Sequence, residues 1–265
     1  MASTKTVVVI VHGAWHVPAS FDKLATSLRL AGYEVYIPHL TSMNGSKPPV
    51  GDLITDTALI RSCVEGLVAA GRTVIALLHS YGGQVGTNAL HGLSLEMRAK
   101  QGLTGGVSSL VYMCAFILPE GWSTLNQAHA QGIKNEKELQ LKLAFDGDGY
   151  CTMAAPREQL INNLGDDSQA AAYISTLVPW NTRCMNQPLS HCAWREIPVI
   201  YIHTTNDYII PLDSQQLMLE RLKEHGLQDP ILVTLDTDHC PHLSATEGVV
   251  EAIHKAVVEV KEGTA

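Results

Sequence analysis

TVIALLHSYGGQVGTNAL, residues 73–90, is the stretch whose reading decides the fold. Residues 73–78 are a β-branched and apolar run that stops abruptly at His79-Ser80, and after two glycines the apolar residues recur at helical spacing. That pattern predicts a strand, a tight turn and a helix. A serine at such a corner is pushed out of the sheet with its hydroxyl exposed, and the backbone N–H of Tyr81 faces the same point from the helix N-terminus. Gly82 and Gly83 suit a helix that presses closely on neighbouring strands. The stretch departs from G-x-S-x-G in one place, because Leu78 stands where the first glycine is expected. A serine that only caps a helix would look much the same, so this stretch alone leaves catalysis and capping both open.

Working outward toward the N-terminus, residues 7–11 are a continuous β-branched run, as in a parallel strand buried on both faces, and they end in His12-Gly13-Ala14-Trp15-His16. Pro18 and the face made by Phe21, Leu24, Ala25 and Leu28 predict a helix that stops at Gly32. A short strand over 34–37, a loop broken by Asn44-Gly45 and Pro48-Pro49, and a helix over 52–70 lead into the central stretch. Its helix is expected to reach Ala99, with the next strand over 107–114. This alternation of strand and helix implies a parallel sheet with helices on both faces.

Beyond residue 116 the alternation stops. Residues 117–196 predict only short helical stretches, at 136–145, 157–164 and 169–177, and a glycine-aspartate turn at 146–149. An insertion this long between strands usually covers the functional edge of a sheet. The expected organisation is therefore a core of residues 1–116 and 197–265, of about six strands, capped by a helical insertion over 117–196. Strands return at 199–203 and 231–235, each followed by a helix, and the last helix leads to a tail expected to fray.

Composition narrows the function. The chain has 265 residues, 46% of them hydrophobic, and a net charge of −8, which suits one large core and disfavours nucleic acid or an anionic membrane as partner. A small neutral or apolar molecule fits better. The apolar run near the N-terminus is too short for a signal sequence, and no run reaches the length of a membrane span. Six scattered cysteines without C-x-x-C spacing read as reduced thiols of a cytoplasmic protein, and neither they nor the twelve histidines show a zinc spacing. No metal and no cofactor are expected. The sequence does not read out an oligomeric state, and a homodimer stays open.

Reactive groups in open parallel sheets gather outside the carboxyl ends of the strands. Here those ends carry His12-Gly13-Ala14, Ser80, Glu120 a little beyond its strand, Asp207 and His239. A serine hydroxyl needs an imidazole to take its proton, and the imidazole needs a carboxylate to fix its tautomer, so the order Ser80, Asp207, His239 is that of a hydrolase triad. His242 is the rival base and Glu120 the rival acid. Asp238, adjacent to His239, would struggle to fold back onto its ring.

VHGAWH at 11–16, HSYGG at 79–83, TNDYIIP at 205–211 and DHCPHLS at 238–244 together resemble the α/β-hydrolase superfamily from end to end, above all its branch of small esterases and hydroxynitrile lyases. Uncharacterised fungal α/β-hydrolases are similar. The resemblance implies Ser80 as nucleophile, His239 as base, Asp207 as acid, and the backbone amides of Ala14 and Tyr81 as the oxyanion hole. It implies a serine esterase or lactonase acting on a small, largely apolar molecule. Trp15, His16, Trp122, Trp180 and Tyr208 are the candidate substrate-binding residues, while His12, His16 and His79 are expected to hold loops or to face substrate as hydrogen-bonders rather than to act as acids or bases. Hydroxynitrile lyases of the branch carry a lysine after the histidine and a threonine at the position of Gly13, whereas this chain has Cys240 and Gly13. A triad-dependent lyase and a non-catalytic small-molecule receptor are the alternatives.

Overall fold

A computed structural model describes residues 6–262, so residues 263–265 of the tail expected to fray lie outside the described residues. In chain order the strands are β1 (Val7–Val11), β2 (Glu34–Tyr36), β3 (Thr73–His79), β4 (Gly106–Met113), β5 (Leu143–Phe145), β6 (Tyr150–Met153), β7 (Trp180–Asn181), β8 (Val199–Thr204) and β9 (Ile231–Leu235). Six of them form one sheet in the order β2-β1-β3-β4-β8-β9, and every neighbouring pair is parallel. The chain runs outward from β1 to β2 and then returns past β1 to β3. The order therefore reverses between β1 and β3, and in open α/β sheets ligands bind outside the carboxyl ends of the strands at such a reversal.

Alternation along the central strands divides the interior in two. Val7, Val9, Val11, Ala76 and Leu78 face one cluster, whereas Val8, Ile10, Ile75 and Leu77 face the other. Helix α1 (Asp22–Leu30) and the last helix, Thr246–Glu262, cover the second face through Leu24, Leu28, Val249 and Ile253. Helices α2 (Leu53–Ala69) and α3 (Tyr81–Ala89) cover the first through Ile60, Val64 and Val85. With both faces dry, β1, β3 and β4 are buried along their whole length apart from Thr73, which explains their unbroken apolar reading.

Two expectations are corrected. The helix after Ser80 does not reach Ala99: α3 ends at Ala89, Gly92 takes a positive φ of 73°, and Ser94 caps a separate helix α4 (Leu95–Lys100) by accepting from the Met97 amide. The insertion is also not wholly helical. The helix expected over 136–145 stops at Gln140, and β5, β6 and β7 form a three-stranded antiparallel sheet. Asp146 builds the hairpin turn, its Oδ1 accepting from the Asp148 and Tyr150 amides at 3.0 and 2.8 Å. The turn was legible in the glycines and aspartates, but the strands are only two to four residues long and carry too little alternation to be read.

No helix among the described residues is long and apolar enough to cross a membrane. All six cysteines are free thiols, with Cys63 half-buried and the others buried.

Candidate active site

β3 delivers its last side chain, His79, into the interior, and Ser80 then turns the chain with φ 53° and ψ −121°. A positive φ costs a non-glycine residue about 1–3 kcal/mol, so the surroundings have to impose it. They do so through the backbone. The Ser80 amide donates to the Met113 carbonyl at 3.3 Å, and the Ser80 carbonyl accepts from the Gly83 and Phe116 amides at 3.0 and 3.1 Å. A trans peptide points its N–H opposite its C=O, so these bonds aim the Tyr81 amide away from Gly83 and Phe116.

The glycines around Ser80 are explained by contact. A Cβ on Gly82 would overlap the Val11 carbonyl, and one on Gly83 would overlap the Phe116 carbonyl. Leu78, the departure from G-x-S-x-G, is accommodated one helical layer away. Its side chain fills the space a Cβ on Gly86 would need.

Three side chains from different strand ends converge. His239 Nε2 lies 2.9 Å from Ser80 Oγ, and its Nδ1 lies 2.7 Å from Asp207 Oδ2. All three residues are buried. Asp207 is further held by the Thr204 hydroxyl at 3.0 Å on Oδ2 and by the Ile209 and Ile210 amides at 2.8 Å on Oδ1. A carboxylate with this many donors stays in place and fixes the imidazole with Nδ1 protonated, leaving Nε2 free to accept from the serine hydroxyl. The carbonyl of His239 accepts from His79 Nε2 at 2.8 Å and from the Cys114 thiol at 3.4 Å, which ties its loop to the ends of β3 and β4. This arrangement can move a proton off Ser80 and return it.

The rivals are engaged elsewhere. Glu120 pairs with Arg195 at 2.8 Å on the surface. Asp238 accepts from the Asn163 and Cys240 amides and the Ser244 hydroxyl. His242 is stacked on Phe21 with ring centroids 4.1 Å apart and lies 2.8 Å from the Tyr173 hydroxyl.

Tyr81 follows the serine directly and Ala14 follows Gly13 on the β1 loop, and among the described residues neither backbone amide has a hydrogen-bond acceptor. Gly13 lets the β1 loop approach: a Cβ there would lie 2.8 Å from both His79 Nδ1 and Ser80 Cβ. His12 holds that loop, its Nδ1 donating to the Gly13 carbonyl at 3.0 Å and its Nε2 accepting from the Leu40 amide at 3.2 Å. Burial pulls its pKa down to about 4, against the opposing pull of that carbonyl, so the ring is neutral.

The five candidate substrate-binding residues separate. Trp15 and Trp180 pack edge to face at 5.6 Å, Trp180 lies 4.9 Å from the Tyr81 ring, and Trp15 also lines a cavity of about 190 Å³ with Met153, Pro156, Ile174, Leu177 and Val178. His16 is buried among other imidazoles, with Nδ1 donating to the Ala14 carbonyl at 2.7 Å, and burial pulls its pKa down to about 3. Trp122 lies beneath the Arg221 guanidinium at 4.4 Å, and Tyr208 is 58% exposed. The structure thus groups Trp15 and Trp180 with Tyr81, places Trp122 beneath a guanidinium at the edge of the same hydrophobic cluster, and leaves Tyr208 largely exposed.

Sequence reasoning missed Asp56. This buried carboxylate on α2 accepts from the Thr41 and Ser42 hydroxyls, from the Ser42 amide and, at 2.9 Å, from the Tyr81 hydroxyl. Burial nevertheless raises its pKa, with those hydrogen bonds acting against the rise. The signal was there to find: an aspartate on the apolar stripe of a helix needs a reason.

A family model described as "Alpha/beta hydrolase family" matches residues 8–252, and the chain belongs to that family. Among individual proteins it is similar to the alpha/beta hydrolase nvfD of Aspergillus novofumigatus, 29% identical over 97% of this chain and 99% of that one. It is also similar to a pyrethroid hydrolase of Sphingobium wenxiniae, 27% identical over 94% of this chain and 87% of the other. Among solved structures, the methylesterase MES16 from Arabidopsis superposes with a TM-score of 0.71 at 21% identity, over 96% of this chain and 99% of that one.

Proposed function

We propose that this hydrolase is a serine esterase or lactonase that opens a carboxylic ester of a small, largely apolar molecule through an acyl-enzyme. The observation that carries the reading is the continuous chain from Ser80 Oγ through His239 to Asp207, at 2.9 and 2.7 Å. Ser80 Oγ attacks the carbonyl carbon while its proton passes to His239 Nε2, and Asp207 stabilises the imidazolium. The carbonyl oxygen becomes an oxyanion between the Ala14 and Tyr81 amides. The C–O bond to the leaving alcohol breaks as His239 returns the proton to it. Water then repeats the sequence in reverse, and the acid is released.

Three points support a small apolar substrate and an ester bond. The aromatic pair Trp15 and Trp180 lies beside Tyr81, and a relative sharing almost the whole chain is named for hydrolysing pyrethroids. Gly13 has no room for a side chain, so the threonine associated with hydroxynitrile lyases would not fit this loop. Residues 117–196 we read as the lid that selects the substrate, working as a protein of the cytoplasm without cofactor.

The test is direct. Ser80→Ala should abolish turnover of short aryl esters and covalent labelling by a fluorophosphonate, with folding unchanged by circular dichroism. Labelling that persists in the variant would remove Ser80 from the mechanism.

A further inference from the structure

Behind the triad lies a second group of reactive side chains that the ester reaction does not use. His16, His79 and His242 pack with ring centroids 5.1–5.6 Å apart, and all three rings are buried. Within this nest one ligand atom each from His16, Cys240 and His242 lies within 4.8 Å of the others. We propose that His16, Cys240 and His242 form a zinc-binding site whose occupation inhibits the enzyme.

The donor set and its tautomers fit that role. His16 Nδ1 donates to the Ala14 carbonyl at 2.7 Å, which leaves the Nε2 lone pair directed at Cys240 Sγ, 3.8 Å away. A carbonyl behind a metal-binding imidazole orients it in this way in metal centres generally. The Tyr173 hydroxyl stands 3.7 Å from the same sulfur and 2.8 Å from His242 Nε2, where it offers a fourth, oxygen donor. Zn–S and Zn–N bonds of about 2.3 and 2.0–2.1 Å place tetrahedral ligand atoms roughly 3.5 Å apart. The 3.8 Å already present between Cys240 and His16 needs little contraction.

Access runs through the insertion. Tyr173 sits on the helix Asp167–Ile174 and is itself partly exposed, so its displacement uncovers the thiol. Binding replaces the Cys240 S–H bond with an S–Zn bond and releases the proton to solvent, with no change of oxidation state. Positions 16, 240 and 242 have no zinc-like spacing in the chain, and only the fold brings them together. The consequence for catalysis follows from adjacency. Cys240 succeeds His239, whose carbonyl is pinned to His79 and Cys114, so drawing Cys240 toward zinc shifts the imidazole relative to Ser80.

The inhibitory half rests on the triad reading, whereas the binding half does not, and the test separates them. Metal-free full-length protein titrated with Co²⁺ should show thiolate-to-cobalt charge-transfer absorption and four-coordinate ligand-field bands at one equivalent, displaced by Zn²⁺. Cys240→Ala should lose the charge-transfer absorption. In wild type, Zn²⁺ should slow aryl ester turnover at least tenfold and chelator should reverse this, while Cys240→Ala should turn over within twofold of wild type and ignore zinc. Should the variant misfold, peptide-resolved alkylation of wild type takes its place: zinc should protect Cys240 and leave the half-buried Cys63 unprotected. An unchanged cobalt spectrum in Cys240→Ala, or a Cys240 alkylation rate that zinc does not slow, overturns the site. Cobalt binding at Cys240 in a protein without esterase turnover would sink the triad reading and leave the metal site standing.

Discussion

The turn around Ser80 and the insertion over 117–196 are built on opposite terms. At the turn, neighbouring backbones leave no volume for a side chain at Gly82 or Gly83, and Ser80, His239 and Asp207 find their hydrogen-bond partners in one another. In the insertion the strands are two to four residues long, and large apolar side chains such as Leu141 and Phe145 face solvent. A region that must hold a strained serine in one orientation has no spare volume. A region of short strands and exposed side chains can be rebuilt without disturbing the sheet.

Substitutions should separate along that contrast. The largest effect is expected from Asp207→Asn, which puts an amide against His239 Nδ1 and favours the wrong tautomer; ester kcat should fall by a factor on the order of 10⁴ at little cost in stability. A fall of less than tenfold would mean the imidazole does not depend on Asp207. Gly82→Ala should come next, because its methyl group has to displace the β1 backbone. Urea unfolding should show a loss of about 3 kcal/mol or no folded protein at all, and a change under 0.5 kcal/mol would contradict the packing described.

Acid should reveal the buried imidazoles. His12 and His16 are held down to about 4 and about 3, below the ordinary histidine value, so the unfolded chain binds their protons first as pH falls. Their contribution is complete above about pH 6.5 and is lost as pH drops toward the folded values, at roughly 1.4 kcal/mol per pH unit for each ring. Urea midpoints at pH 7 and pH 5 measure this, and equal midpoints would show that neither ring is kept neutral by the fold. Tyr81→Phe should cost roughly 1–2 kcal/mol, since it removes one donor from the buried Asp56 carboxylate and keeps the aromatic packing. At the other end of the range, Leu141→Ser in the insertion should leave the melting temperature and the rate on a simple aryl ester unchanged, because the side chain is 78% exposed.

The same contrast governs what could be read in the sequence. β1, β3 and β8 are buried on both faces, Thr73 apart, and therefore spell themselves out as apolar runs; Ser80 and Asp207 follow β3 and β8, while His239 follows the half-exposed β9 and was legible through its own short motif. Their convergence needed no long-range information beyond parallel order. The hairpin of β5 and β6 was missed because short, half-exposed strands carry no period. Asp56 and the imidazole nest were missed for a different reason. Their meaning lies in contacts across long separations, such as Tyr81 on Asp56 or Cys240 beside His16, which local pattern does not encode. Trp122 and Tyr208 show the converse limit, since an aromatic residue at a loop carries no mark of whether it faces a ligand, a cation or water.

The partnership of Leu78 with Gly86 reaches beyond this molecule. The volume that most such turns save at the position two before the serine is saved here on the following helix, so the two sites must be exchanged as a pair. An intermediate with both residues small leaves a void, whereas one with both large has to push the Leu78 side chain out of its place. Pattern filters that insist on the first glycine discard chains that, like this one, carry a large residue there, and a rule that scores the pair would recover them.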